Sequence, residues 1–205
     1  MNANIGMQHP VAAPIASHTP GSPITYGEAV VVSEARGANL TWERADGSFR
    51  GDDIELDKDN GILGYSLEFE TSGLKDAIRA MLLGEDKDTS DVYHVTDATP
   101  PDVGFGYVRT MRETNDQGQV VDTFHGWWFH KLKFALNSEE TRTKERNIEW
   151  RVPTLTGSGM GVSIDSTKKI HFAEHKTFST YEAAEAFVDG HGTTATTSET
   201  TPGTT

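Results

Sequence analysis

The stretch from Val103 to Leu136 constrains the fold more than any other part of the chain. Residues 103–113 and 119–136 are two long β-prone runs on either side of Asn115-Asp116-Gln117-Gly118, which is the pattern of a long antiparallel hairpin. The second run carries Phe124, Trp127, Trp128, Phe129, Leu132 and Phe134. Successive side chains of a strand point to opposite faces, so this arm carries large apolar groups on both. Such a strand needs cover on both sides, either inside one domain or in a subunit contact.

Other segments supply partners for that hairpin. Residues 62–71 alternate cleanly, with Tyr65, Leu67 and Phe69 facing one way and Ser66, Glu68 and Glu70 the other. Residues 24–35, with Ile24, Val30, Val31 and Val32, suit a pleated surface and are expected to pair with residues 38–44. Residues 91–96 and 146–157 are further strand candidates, the latter through Ile148, Trp150, Val152 and Leu155. Two short helices are expected. The first has the stripe Leu74, Ala77, Ile78, Met81 and Leu82, with Ser72 as cap and Gly84 at the left-handed C-terminal position. The second spans residues 180–189, with Ser179 and Glu182 as a capping box, an apolar face of Tyr181, Ala184, Phe187 and Val188, and Gly190 at its end. Roughly seven or eight strands and two short helices make a mainly β domain, placed at residues 24–190.

The ends read differently. Pro10, Pro14, Pro20 and Pro23 punctuate residues 1–23, which read as an N-terminal arm, disordered in an isolated monomer or ordered against a neighbouring subunit. Residues 191–205 are almost all Thr, Gly, Ser, Ala, Glu and Pro, and are expected to form a disordered tail because such a composition buries no core. Residues 44–61, rich in Asp and Gly, read as a long loop with the turn signal Asp46-Gly47. Within it Asp53, Glu55, Asp57 and Asp59 alternate with Ile54, Leu56 and Lys58, so an extended backbone there would set four carboxylates on one face.

Composition excludes several classes. The 18 basic and 31 acidic residues give a net charge of −13, opposite to the basic footprint from which nucleic-acid binders draw their affinity. With no cysteine there is no disulfide, thiolate metal site or cysteine nucleophile. No apolar run approaches the ~20 residues that span a bilayer, and Arg36 is the first basic residue other than His, so neither membrane insertion nor a secretory signal is expected.

Motifs with chemical promise fail one by one. Gly104-Phe105-Gly106 lacks the third glycine and the following helix of a dinucleotide loop, and reads as small residues in a crowded strand. Gly157-Ser158-Gly159-Met160-Gly161 has no P-loop lysine, and Gly161-Val162-Ser163-Ile164-Asp165 misses the nucleophile elbow at its last position; both read as a glycine-rich loop. His171 and His175 lie four apart in an extended segment, and His125 and His130 fall on opposite faces of a strand, so neither pair forms a zinc site. Residues 52–61 fit no EF-hand frame. Trp127 and Trp128 could stack a base or sugar, but packing in a core or subunit interface is the commoner fate.

The order of short motifs carries a further reading. Ile24-Thr25-Tyr26-Gly27-Glu28, the helix from Leu74 ending Leu82-Leu83-Gly84, and Val103-Gly104-Phe105-Gly106-Tyr107-Val108-Arg109 occur in sequence. Lys131-Leu132-Lys133-Phe134, Glu139 to Lys144 with Asn147-Ile148-Glu149-Trp150 and Pro153 to Gly157, and Lys176-Thr177-Phe178-Ser179-Thr180-Tyr181-Glu182-Ala183 follow. In this order they resemble the major tail protein family of long-tailed phages of Gram-positive bacteria, over residues 24–190.

The resemblance implies a β-sandwich or barrel of the tail-tube type flanked by helix. It also implies a non-enzymatic subunit whose hexameric rings stack into the tube through which DNA is ejected. The implied partners are further copies of itself, the tape-measure protein, and the tail-terminator and distal tail proteins. The implied location is the virion tail, after assembly in the host cytoplasm. It supplies no catalytic residue, cofactor or metal. On this reading Ser48, Phe49, Arg50, Ile54 and Leu56 are candidates for contacts between rings. Asp53, Glu55, Asp57 and Asp59 are candidates for an acidic lumen that DNA crosses without specific binding. The rival readings are a soluble carbohydrate- or metal-binding β-domain, a hydrolase, and a tube subunit of a contractile or secretion-like machine.

Overall fold

The computed structural model describes residues 3–51, 54–114, 117–136, 153–167 and 169–192, with backbone alone for 47–51 and 54–59. Its elements are β1 (Ala3–Ser17), β2 (Thr25–Tyr26), β3 (Val30–Val31), β4 (Ala35–Arg44), β5 (Gly47–Gly51), β6 (Ile54–Asp59), β7 (Ile62–Thr71), α1 (Asp76–Leu83), β8 (Asp86–Lys87), β9 (Tyr93–His94), β10 (Val103–Thr114), β11 (Val120–Leu136), β12 (Thr154–Met160), β13 (Ala173–Phe178) and α2 (Tyr181–Asp189). The fold is mainly β with two short helices.

The expected hairpin organises the sheet. β10 and β11 pair antiparallel from Thr114↔Val120 down to Val103↔Leu132, and Gly118 takes the positive φ of 76° that a tight turn requires. The main sheet runs β2-β1-β10-β11-β12-β7-β4, with β13 added to β11 and β3 to β1. β11 changes partner partway along. Leu132–Leu136 pair with β12, whereas Phe124–Phe129 pair with β13. An extra residue in β11, between Phe129 and Leu132, shifts the register against β10 at the same place. The sheet curls so that β4 packs against β1.

β11 receives its cover within the chain. Phe129, Leu132 and Phe134 lie in the main core with Tyr65, Leu67, Phe69 and Phe105, joined by Ile78 and Leu82 of α1. Trp128 lies in a second core, on the other face, with Tyr26, Val11, and Ala184 and Val188 of α2. Burying each such side chain contributes about 1.5–3 kcal/mol, so both faces of this hairpin are major sources of stability.

Several expectations are corrected. In the segment read as an arm, residues 1–23, Ala3–Ser17 form β1, Ala3 to Pro14 pair with β10, and Val11, Ala12 and Ala13 are fully buried, so residues 3–17 are not loose. Pro10 fits because it falls at the register shift between Gln8 and Val11, where a missing N–H interrupts no regular ladder. Residues 24–35 hold two short strands, β2 and β3, both on β1, and β4 pairs with β7 instead. The 91–96 candidate shrinks to β9, paired with β8. In the 146–157 candidate, Ile148, Trp150 and Val152 lie outside the described residues, while Leu155 is fully buried in β12.

The glycine-rich segment Gly157-Ser158-Gly159-Met160 is strand, not loop. Gly159 lies under the ring of Tyr65, and a Cβ at Gly157 would stand 2.9 Å from Leu132 Cδ2 and 3.0 Å from Phe134 Cε1. The missing side chains admit aromatic neighbours, the arrangement that lets glycine persist in a strand. Both helix caps also move. α1 starts from Lys75 with no side-chain cap, three residues after Ser72, whose backbone N–H donates to Glu34 O at 3.0 Å. α2 is capped by Thr180, whose hydroxyl accepts from Ala183 N. Gly84 is left-handed at φ 75°, as expected, and Gly190 ends α2.

Candidate functional site

Residues 44–61 are not an irregular loop. β5 and β6 form a two-stranded sheet of their own that continues the β4–β7 hairpin. The register runs from Gly47↔Asp59 to Gly51↔Ile54. The root is held by Ala45 N to Gly61 O at 2.8 Å and Arg44 Nη1 to Asn60 O at 3.2 Å. Strands of this length extend about 15–20 Å at ~3.3 Å per residue. Ser48, Phe49 and Arg50 lie in β5; Ile54, Glu55, Leu56, Asp57 and Asp59 lie in β6; Asp53 lies outside the described residues. Among the described residues the ribbon pairs with no strand of the main sheet, and open strand edges are templates for pairing with another chain. At its root lie Leu63 and Met160, 67% and 55% exposed, in the adjoining strands β7 and β12, where Met160 pairs with Gly64.

The tryptophans are committed to packing. Trp128 is fully buried, edge-on to Tyr26 at 5.2 Å and stacked with His191 at 4.7 Å. Gly104 and Gly106 make room for it: a Cβ at either would come within 2.5 Å of its ring. Trp127 is half-buried between His175, stacked at 4.5 Å, and Arg109, whose guanidinium lies 5.4 Å from the ring centre. Trp127 and Arg109 line a cleft of about 310 Å³ with Met7, Leu40, Trp42 and Tyr107. Trp127 Nε1 and Arg109 Nε are buried there without hydrogen-bond partners.

The sequence-adjacent histidines go separate ways. His171 faces Asp165 at 3.4 Å and His175 stacks on Trp127. His125 meets Thr177 Oγ1 at 3.3 Å, whereas His130 is buried with its Nδ1 3.3 Å from Tyr26 Oη. Burial holds the pKa of both His125 and His130 below the usual histidine value. Tyr26 also donates to His130 O at 3.0 Å, and burial pushes its phenol up to about 12.

One grouping escaped sequence reasoning. His9, Glu185 and Asp189 each offer a ligand atom, and these atoms lie within 4.8 Å of one another; among the described residues this is the metal-compatible group. His9 Nδ1 is 3.1 Å from Glu185 Oε1, and Nε2 is 2.8 Å from Asp189 Oδ1. No spacing rule reaches it, because 180 residues separate His9 from Asp189. The one local signal was Glu185 and Asp189 at i and i+4 on a short helix.

No family model matches this chain, and no curated protein matches it.

Proposed function

We propose that this chain is a self-assembling structural subunit of the tail-tube type, whose rings stack into the conduit for phage DNA. The observation that carries the reading is the β5–β6 ribbon, a two-stranded extension of β4 and β7 with no partner in the main sheet among the described residues. In a head-to-tail assembly it supplies a segment that reaches the next copy. The curled main sheet with α1 and α2 against it fits a sandwich of the tail-tube type, and burial of Trp128 removes one stacking platform from the carbohydrate-binding reading. The net charge of −13 suits a lumen that repels DNA in transit, with Glu55, Asp57 and Asp59 of β6 as candidates for that charge. Ser48, Phe49, Arg50, Ile54 and Leu56 remain the candidates for contacts between rings. Electron microscopy of concentrated protein tests this directly. Hollow tubes that disappear when residues 47–59 are deleted support it, and tubes that persist without the ribbon rule out its proposed part.

A second reading, a metal-binding β-domain, is favoured by His9, Glu185 and Asp189. It predicts a ligand-dependent rise in stability in the monomer.

A further inference from the structure

β1 and α2 come from opposite ends of the described chain and meet at His9. Its backbone is left-handed, with φ 52°, at the register shift of β1 between Gln8 and Val11. The side chain is 13% exposed and lies against Glu185 and Asp189 of α2. Asp189 closes the last turn of that helix, where the helix dipole is negative and no basic residue stands. The local field therefore favours a cation.

The ring contacts sharpen the point. Both imidazole nitrogens face carboxylate oxygens, at 3.1 Å and 2.8 Å. A protonated ring would donate to both carboxylates, whereas a neutral imidazole carries one N–H, satisfies one carboxylate and turns a lone pair toward the other. For the neutral ring, a metal ion on that lone pair uses the nearby carboxylate as its second ligand.

We propose that His9 Nε2 and Asp189 bind a divalent first-row transition ion of the zinc class, with Glu185 accepting the Nδ1 proton and fixing the ring. A histidine nitrogen beside carboxylate suits zinc, whereas calcium and magnesium favour all-oxygen sites. Zinc bonds of about 2.0–2.2 Å place neighbouring tetrahedral ligands about 3.3 Å apart. The 2.8 Å gap between Nε2 and Asp189 Oδ1 opens that far by a small rotation of a half-exposed carboxylate. Water completes the tetrahedron. Glu185 then plays the part of the carboxylate behind a metal-bound histidine. The ion clips β1 to α2 and so ties the first strand to the last helix. This deepens the metal-binding reading and is independent of tube assembly.

The test is calorimetric titration of zinc chloride into the full chain after chelator treatment, with thermal melts beside it and magnesium as control. Wild type binds one ion per chain and melts higher with zinc but not with magnesium. Asp189→Asn and His9→Gln abolish binding, and Glu185→Gln weakens it about 10–100-fold. If His9→Gln does not fold, the partly exposed Asp189→Asn decides alone. Zinc binding that survives Asp189→Asn overturns this site while leaving a metal-binding domain standing; a wild type that binds no zinc overturns both.

Discussion

Gly106→Ala asks whether the glycines of the Val103–Arg109 segment serve packing. An added Cβ would meet Trp128 Cε3 at 2.5 Å, Trp127 O at 2.7 Å and Val188 Cγ1 at 2.8 Å. Two of these neighbours cannot yield cheaply. The Trp127 oxygen is backbone in the β10–β11 ladder, and the Trp128 ring is fully buried between the sheet and α2. Overpacking of this kind costs about 1–3 kcal/mol, and one backbone clash argues for the upper half of that range. For a chain of this size that corresponds to a fall in melting temperature of very roughly 4–12 °C. Gly6→Ala is the control: a Cβ there meets nothing within 4 Å, and the loss of unfolded-state freedom should stabilise by about 0.4–1 kcal/mol. Urea unfolding followed by tryptophan fluorescence reads both. A Gly106→Ala midpoint equal to wild type, or equal losses at both positions, would refute the packing argument.

Three further outcomes follow from the same geometry. Trp128→Ala, which empties the space between β10 and α2, should cost about 3–5 kcal/mol in chemical unfolding. Tyr26 titrates near 10 when unfolded and about 12 when folded, so the native state holds its proton longer; stability should be flat below pH ~10 and fall between there and pH ~12. Tyr26→Phe should flatten that fall without abolishing it, because burial raises Tyr65 as well. His130 titrates lower folded than unfolded, so its contribution is intact above the usual histidine value and drains away as the pH falls below it. An acid limb unchanged in His130→Gln would contradict this.

How much was legible in the sequence follows from how local each signal is. The β10–β11 hairpin, the alternation of β7 and the apolar stripes of α1 and α2 are written in short-range periodicity, and all appear, save that Ala77 of the α1 stripe is exposed. β1 was hidden because proline usually ends a strand, and nothing local announces that Pro10 sits at a bulge. The Gly157–Gly159 strand was hidden for a similar reason: Gly159 is explained by the ring of Tyr65 and Gly157 by Leu132 and Phe134, all far away in sequence. The capping differences share one cause, since Ser72 and Ser179 are valid caps locally but each helix begins later, after Lys75 and after Thr180. For the proposed sites the contrast is sharper. Acidic alternation in residues 53–59 hinted at an extended segment, and β6 covers Ile54–Asp59, whereas the His9 cluster depends on tertiary packing alone.

The central claim is assembly, and electron microscopy of the purified chain, concentrated and aged beside its 47–59 deletion, tests it most directly. The account predicts hollow tubes of uniform width from the intact chain, and folded, unassembled subunits from the deletion, with unchanged near-ultraviolet circular dichroism. An intact chain that stays monomeric by light scattering at every concentration, or a deletion that forms the same tubes, would contradict it.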